Sequence, residues 1–216
     1  MEGTASLSYA TPKQKYLDVA KISLYFVLVL AVGYALGYVV PPVVAVVLLP
    51  MSLIMLFVGI FMKFSRKVSL GMYLTFYLLL GIALNTVVTH YVSQTSATVV
   101  GTTALGVFTI FVVFSLIGAF TKTDLSSMLS MLFVGFMVML ALTLVNIFIL
   151  QSELVGLAIS AVLCLLYMIS MIVDINAMKN SDFDMDEAPH HAFNLILNPI
   201  GLFIRALDLT NIFDGF

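Results

Sequence analysis

The stretch LCLLYMISMIVDINAMKN, residues 163–180, decides the class of this protein. It ends an apolar segment that begins near residue 154, and about 20 apolar residues are enough for a helix to cross a bilayer. A single carboxylate, Asp174, lies inside this segment just before the chain becomes polar. Carboxylates at membrane depth are rare and usually mark an ion or proton path. The stretch therefore predicts a membrane-spanning helix that carries a functional residue.

The composition of the whole chain also indicates an integral membrane protein. Its 216 residues are 62% hydrophobic and 9% charged, and the mean hydropathy is +1.16, whereas about a quarter of the residues in a soluble domain are charged. The net charge of −2 and the absence of a basic cluster argue against a nucleic-acid partner. The lone cysteine, Cys164, excludes a disulfide within the chain. No cleavage site follows the first apolar run, so we expect that run to be a retained helix.

Seven apolar segments are long enough to span a membrane. They cover residues 21–40, 43–62, 68–92, 98–120, 127–150, 154–177 and 191–213. The seventh carries Arg205 and Asp208, which are tolerated in a helix that is buried among others rather than facing lipid. We therefore predict an all-α polytopic fold of seven transmembrane helices, with helix seven packed centrally. It forms one domain over residues 1–216, with a polar N-terminus at 1–20 and an acidic loop at 178–190.

The distribution of lysine and arginine predicts the orientation of this bundle. The connections after the first, third and fifth segments contain neither residue. Cytoplasmic connections carry an excess of positive charge, so the N-terminus is predicted to be cytoplasmic and the C-terminus to lie on the far side. The absence of retention or lipidation signals fits a bacterial inner (plasma) membrane. The residues that define the cytoplasmic side are Lys13, Lys15, Lys21, Lys63, Arg66, Lys67, Lys122 and Lys179.

Segments six and seven carry polar stripes at helical spacing. Steps of three and four residues back from Asp174 place the polar side chains of segment six on one face: Ser170, Tyr167, Cys164 and Ser160. Segment seven has a matching face: Asn194, Asn198, Gly201, Arg205 and Asp208. Neighbouring antiparallel helices are expected to point such faces at each other or at a shared watery path. Small polar residues also serve close packing of membrane helices, so for the serines both interpretations stay open.

The depth of each residue in the membrane predicts the partner of Asp174. Asp174 lies about 6 Å inside the cytoplasmic end of segment six, at 1.5 Å per residue. Asn198 lies about 10 Å into segment seven from the same side, whereas Asp208 lies about 25 Å in, near the opposite surface. Asp174 is therefore expected to face Asn198. Arg205 and Asp208 are three residues apart, a spacing that favours a local salt bridge near the outer end.

The chain resembles the transmembrane Bax inhibitor motif family, whose bacterial members are seven-helix calcium-leak proteins. No single stretch is diagnostic, but the order and spacing of several stretches over almost the whole sequence resemble the family. They are LTFYLLLGIALNTVV (74–88), GTTALGVFTIFVVFS (101–115), TKTDLSSMLSMLFVGF (121–136), VDINAMK (173–179) and HAFNLILNPIGLFI (191–204).

The resemblance implies a gate made of three residues. In that family an aspartate on helix six and one on helix seven share a hydrogen bond and sense pH, and a basic residue near the end of helix two takes part in opening. By position these are Asp174, Asn198 and Lys63, with Arg66 close to the last. A rival alignment places the second aspartate at Asp208, which the depth argument opposes. Asn198 cannot ionise, so the resemblance implies a pH response that is weak or displaced to acid pH.

The resemblance also implies the function. We expect a leak channel for a cation, with Ca²⁺ as the permeant ion, a gate near the cytoplasmic ends of helices two, six and seven, and the polar stripes as its path. The alternative is a membrane interaction protein that modulates a membrane-protein partner, such as a membrane protease, or a stress or cell-death pathway. An enzyme is not expected, because the sequence has no HExxH motif and no serine–histidine pairing at membrane depth. No cofactor is expected.

The acidic linker before segment seven is a weak candidate for a metal site. It is not an EF-hand loop, because Glu187 and Phe193 occupy the positions that require glycine and glutamate. We interpret it as a solvated acidic loop that could concentrate cations at the cytoplasmic mouth. No metal site is predicted from its carboxylates and histidines, which are Asp182, Asp184, Asp186, Glu187, His190 and His191.

Overall fold

The computed structural model describes residues 11–41, 58–63 and 68–213, and all the regular structure in them is helical. The helices are α1 (Pro12–Gly37), α2 (helical residues 58–63), α3 (Leu70–Gln94), α4 (Ala97–Phe120), α5 (Met128–Val145), α6 (Glu153–Asn180) and α7 (Ala188–Phe213). A π-helical turn, Asn146–Leu150, continues α5, and a 3₁₀ turn, Met185–Glu187, precedes α7. Six of these helices are long and apolar enough to cross a membrane. The all-α membrane fold is therefore confirmed, while most of the predicted second span lies outside the described residues.

Side-chain caps explain where several helices begin. The hydroxyl of Thr11 accepts a hydrogen bond from the Gln14 amide, and a proline follows at the first helical position. Helix α1 consequently begins well before the apolar run at residue 21, so residues 12–20 of the predicted polar terminus are helical. An apolar run shows which part of a helix lies in the hydrocarbon core of the membrane, and it does not show where the helix begins. Similar caps begin α3, α4 and α6 at Ser69, Ser96 and Ser152.

The acidic connection is shorter than the predicted loop at 178–190. Helix α6 continues to Asn180 and α7 begins at Ala188, with the 3₁₀ turn between them. Because both helices extend past the apolar core, their polar ends lie outside the segments that hydropathy detects.

Glycines allow three of the helices to approach their neighbours closely. A Cβ atom at Gly33 would overlap the backbone of α3, and one at Gly81 would overlap the backbone of α1. Gly118 of α4 lies in the same way against the backbone of Ile172 in α6. In a membrane the hydrophobic effect does not drive helices together, because lipid tails are as apolar as the helix surfaces. Small residues let the helices approach closely, and the resulting van der Waals contacts stabilise their association.

Helix α7 lies in the centre of the bundle. It packs against α1, α3, α4 and α6. More than half of the residues in its apolar membrane-spanning stretch are buried, which is the largest share among the six described spans. Its buried side chains include Phe193, Leu197, Asn198 and Leu202. The predicted central position of helix seven is therefore confirmed, and it explains how an apolar helix can carry polar residues.

Two lysines identify one end of the bundle, which we call the lysine end. Lys15 of α1 donates to the Ser181 carbonyl just beyond α6, at 2.9 Å. Lys179 of α6 donates to the carbonyls of Ala119 and Thr121 at the end of α4, at 3.0 and 3.1 Å. The positive-inside rule predicts that this end is cytoplasmic.

Candidate functional site

The carboxylate of Asp174 lies at a junction of α2, α6 and α7. Its Oδ2 accepts hydrogen bonds from Lys63 Nζ at 2.7 Å, from Asn198 Nδ2 at 2.6 Å and from Ser170 Oγ at 3.2 Å. Ser170 precedes Asp174 by one helical turn, so both side chains emerge from the same face of α6. Asp174 is 8% exposed. The contact expected between Asp174 and Asn198 is present.

The ammonium of Lys63 is fully engaged. It donates to Asp174 Oδ2, to Asn198 Oδ1 at 2.7 Å and to Ser170 Oγ at 2.5 Å, which uses all three N–H groups of a lysine. The residue is 3% exposed. We call Lys63, Ser170, Asp174 and Asn198 the Lys63 cluster.

The Lys63 cluster is balanced in both charge and hydrogen bonding. A buried charge is tolerated when it is paired and its remaining hydrogen-bonding groups are satisfied. Here one ammonium faces one carboxylate, and Asn198 donates to the carboxylate while it accepts from the ammonium. The cluster therefore ties α2, α6 and α7 together, and the three contacts of Lys63 would all be broken if α2 moved away.

A cavity of about 290 Å³ extends from the Lys63 cluster to the lysine end. Lys63 and Asp174 form part of its wall, and so does Asn194, one turn before Asn198 on α7. The acidic connection contributes Asp182 and Glu187 to the same wall. We call this space the lysine-end cavity; it brings part of the predicted acidic mouth next to the predicted gate.

The imidazole of His190 lies in the wall of the lysine-end cavity between two polar groups. Its Nδ1 is 3.2 Å from Tyr73 Oη, and its Nε2 is 3.3 Å from Asn194 Nδ2. His190 therefore joins α7 to α3.

A second polar cluster lies at the opposite end of the bundle. Arg205 Nη1 donates to Asp208 Oδ2 at 3.0 Å, Ser160 Oγ donates to the same oxygen at 3.0 Å, and Tyr91 Oη donates to Asp208 Oδ1. The local salt bridge expected between Arg205 and Asp208 is present. A cavity of about 500 Å³ adjoins these four residues, which we call the Asp208 cluster.

Tyr167 lies between the two clusters. It is 4% exposed, and its ring centroid is 5.0 Å from that of Phe136 on α5. Asp174 and Asp208 consequently belong to separate sites. Arg66, the other basic residue considered for the gate, lies outside the described residues.

Sequence reasoning missed Asn176 and Tyr91. Asn176 is fully buried; its Oδ1 accepts from the Leu125 amide at 2.8 Å, and its Nδ2 donates to the carbonyls of Thr121 and Thr123. It thus fastens the α4–α5 connection to α6. An asparagine in the last turns of an apolar helix was a signal that could have identified it, whereas nothing in the sequence near Tyr91 indicates a contact with Asp208.

A comparison with protein families finds one match that covers nearly the whole chain. A family model described as "Inhibitor of apoptosis-promoting Bax1" matches residues 14–215. This range includes every residue of the Lys63 cluster and of the Asp208 cluster.

Proposed function

The chain belongs to the Bax inhibitor-like transmembrane family, and on that premise we propose that it is a membrane channel through which a cation, Ca²⁺, leaks down its gradient. In this proposal the Lys63 cluster is the gate at the lysine end. The Asp208 cluster and the polar residues of α6 and α7 line the remainder of the path.

The observation that carries this proposal is the position of a buried ion pair at the end of a cavity large enough to hold several water molecules. Lys63 and Asp174 line the lysine-end cavity, yet both are almost completely buried and bonded to each other. A purely structural tie would not need charged groups, because apolar residues of similar volume often stabilise a protein as well as a buried pair does. A pair that closes a cavity can, in contrast, separate and leave a polar opening.

The charges of both cavities favour cations over anions. Among the described residues of the lysine-end cavity, the three carboxylates of Asp174, Asp182 and Glu187 accompany the ammonium of Lys63. In the opposite cavity the carboxylates of Glu153 and Asp208 accompany the guanidinium of Arg205. Divalent cations such as Ca²⁺ are bound by carboxylate and carbonyl oxygens, and walls of one net sign raise the local concentration of the counter-ion.

Asn198 is the reason why we propose a weak or acid-displaced pH response. Two neighbouring carboxylates titrate as a coupled pair and hold one proton toward neutral pH. Here the position that faces Asp174 holds an amide, whose nitrogen donates to the carboxylate without any titrating proton. The closed arrangement of the cluster therefore does not require a proton.

Opposite substitutions in the ion pair test this function. The assay is Ca²⁺ entry into dye-loaded liposomes that contain the purified protein. Lys63→Met breaks the tie and leaves a carboxylate in the path, so we expect faster entry. Asp174→Asn breaks the same tie but leaves an ammonium in the path, so we expect slower entry than for Lys63→Met. Asp186→Asn, at an exposed residue of the acidic connection outside the cavity wall, is the control and should change entry far less than either substitution in the pair.

Two results would contradict the proposal. Entry no faster than in protein-free liposomes, for the wild type and for Lys63→Met, would refute the leak and favour a protein that modulates a membrane partner. Equal effects of Lys63→Met and Asp174→Asn would show that the charge left behind does not meet the ion, so that the pair is a structural tie only.

A further inference from the structure

The space inside the bundle narrows sharply between its two polar clusters. On the side of the Lys63 cluster the cavity measures about 290 Å³, and on the side of the Asp208 cluster about 500 Å³. Between them the described residues line a space of about 20 Å³, roughly the room that one water molecule needs. The side chains around this narrow space are mainly apolar, and we call four of them the apolar layer: Ile60, Phe136, Leu163 and Tyr167.

Tyr167 lies halfway between the clusters along α6. It follows Ser160 by seven residues and precedes Asp174 by seven residues, which is about 10 Å in each direction. Its ring and that of Phe136 meet at an interplanar angle of 56°, and Phe136 is 1% exposed. The two rings therefore fill the middle of the bundle from α5 and α6.

Gly201 of α7 leaves the space that the Tyr167 ring occupies. A Cβ atom at this position would overlap the ring carbon Cζ and the hydroxyl of Tyr167. The tyrosine ring thus occupies the volume that any other residue at 201 would fill. Gly201 lies three residues after Asn198, on the same face of α7. A displacement of α7 that separates Asn198 from Asp174 would therefore also remove the support of the Tyr167 ring.

The Lys63 ammonium contacts both the polar cluster and the apolar layer. Its Nζ is 5.8 Å from the centroid of the Phe136 ring, within the range of a cation–π interaction. On the other side of the layer Arg205 lines both the narrow space and the opposite cavity. The layer is thus bounded on both sides by charged groups that belong to the clusters.

We propose that the rings of Tyr167 and Phe136, with the Tyr167 ring packed against Gly201, form a barrier that blocks the passage of water and ions between the two cavities. The Lys63 cluster then acts as the latch that keeps this barrier closed. The inference rests on the proposed function for its role in conduction. A dry constriction stops ions because an ion that enters it loses its hydration shell without gaining ligands, and such constrictions open when they become wide enough to hold water.

Cys164 makes this barrier measurable without any ion flux. It is the only cysteine of the chain, it is buried, and it precedes Tyr167 by three residues on the side away from the Lys63 cluster. A charged, membrane-impermeant thiol reagent applied to the lysine end must therefore pass the Tyr167 ring to reach it. We expect slow modification in the wild type and at least tenfold faster modification in Tyr167→Ala and in Phe136→Ala.

Two controls separate a missing ring from a general disturbance. Tyr167→Phe keeps the ring and removes only the hydroxyl, so its modification rate should stay within about twofold of the wild type. Phe108→Ala removes an aromatic ring that is 63% exposed on the outside of α4, and it should leave the rate unchanged. Circular dichroism verifies that each variant is folded, and Phe136→Ala tests the barrier if Tyr167→Ala does not fold.

Flux and modification together distinguish failure of the barrier from failure of the channel. Faster modification with a tenfold faster entry of Ca²⁺ or K⁺ into liposomes supports both. Faster modification without any ion entry supports the barrier and refutes the leak. An unchanged modification rate in folded Tyr167→Ala and Phe136→Ala overturns the barrier, whatever the ion flux of the wild type.

Discussion

Removing either partner of the Lys63–Asp174 pair should destabilise the protein more than removing both. Lys63 is 3% exposed and Asp174 is 8% exposed, so a charge left alone there has little access to water. Breaking a buried pair in this way costs about 3–5 kcal/mol, which corresponds to about two to four orders of magnitude in the unfolding equilibrium. The single variants are Lys63→Met and Asp174→Asn.

The double variant Lys63→Met/Asp174→Asn leaves no buried charge. The amide at position 174 can still form a hydrogen bond with Asn198, whose Nδ2 lies 2.6 Å from Asp174 Oδ2 in the wild type. We therefore expect the double variant to be more stable than the sum of the single effects predicts, with a coupling energy of at least about 2 kcal/mol. Equilibrium unfolding of the four proteins in mixed detergent micelles, followed by near-ultraviolet circular dichroism, measures this coupling.

An exposed ion pair in the same protein is the matched control. Lys21 lies 3.2 Å from Asp18, but its side chain is 67% exposed. Pairs of this kind contribute about 0–1 kcal/mol, so Lys21→Met should change the free energy of unfolding by less than about 1 kcal/mol. Additive effects of the two substitutions in the Lys63 cluster, within about 0.5 kcal/mol, would refute the reasoning. They would mean that water reaches the pair and screens it.

Three further predictions concern residues outside both clusters. Asn176→Leu should cost about 2–4 kcal/mol, because it removes the hydrogen-bond partner of the Leu125 amide and of the Thr123 carbonyl, and hydrogen exchange of amides 121–127 should accelerate. Gly81→Leu should lower the thermal midpoint by separating α1 from α3, whereas Gly101→Leu should not, since nothing lies within 4 Å of a Cβ atom there. The hydroxyl and amide of Ser126 donate to Asp124 and hold the pKa of that carboxyl below its ordinary value. Ser126→Ala should therefore raise this pKa, as a carbon NMR titration of the carboxyl would show.

Residues at membrane depth were easier to predict from the sequence than residues near the helix ends. Depth counted at 1.5 Å per residue paired Asp174 with Asn198, because two antiparallel neighbours leave little freedom in register. The helix starts were predicted less well, since Thr11 begins α1 through a hydrogen-bonded cap that hydropathy does not detect. The partners of Asn176 were not predictable, because they are backbone groups of a connection whose path no periodicity describes.

The contact between Tyr167 and Gly201 could be predicted only in part. Both residues lie on the polar stripes of the sequence, which indicated that α6 and α7 face each other. A stripe of weakly polar residues suggests an open, hydrated path, however, and here the tyrosine fills the space that the glycine leaves. A glycine on a helix face is compatible with an empty groove and with a groove occupied by a neighbouring ring, and only the packing distinguishes the two cases.

Asn198 also explains why the Lys63 cluster, which holds the helices together, lies at a different depth from the rings that exclude water. An aspartate at this position would put a second carboxylate within about 2.6 Å of Asp174, and two such groups must share a proton or another cation. With an amide there, one ammonium and one carboxylate balance each other, and the cluster holds α2 against α6 and α7 without a bound proton. A cluster that is satisfied in this way stays polar and borders a cavity, so it can hold the helices together but does not by itself exclude water. Exclusion of water requires an apolar constriction, and the rings of Tyr167 and Phe136 provide one about two helical turns deeper in the bundle.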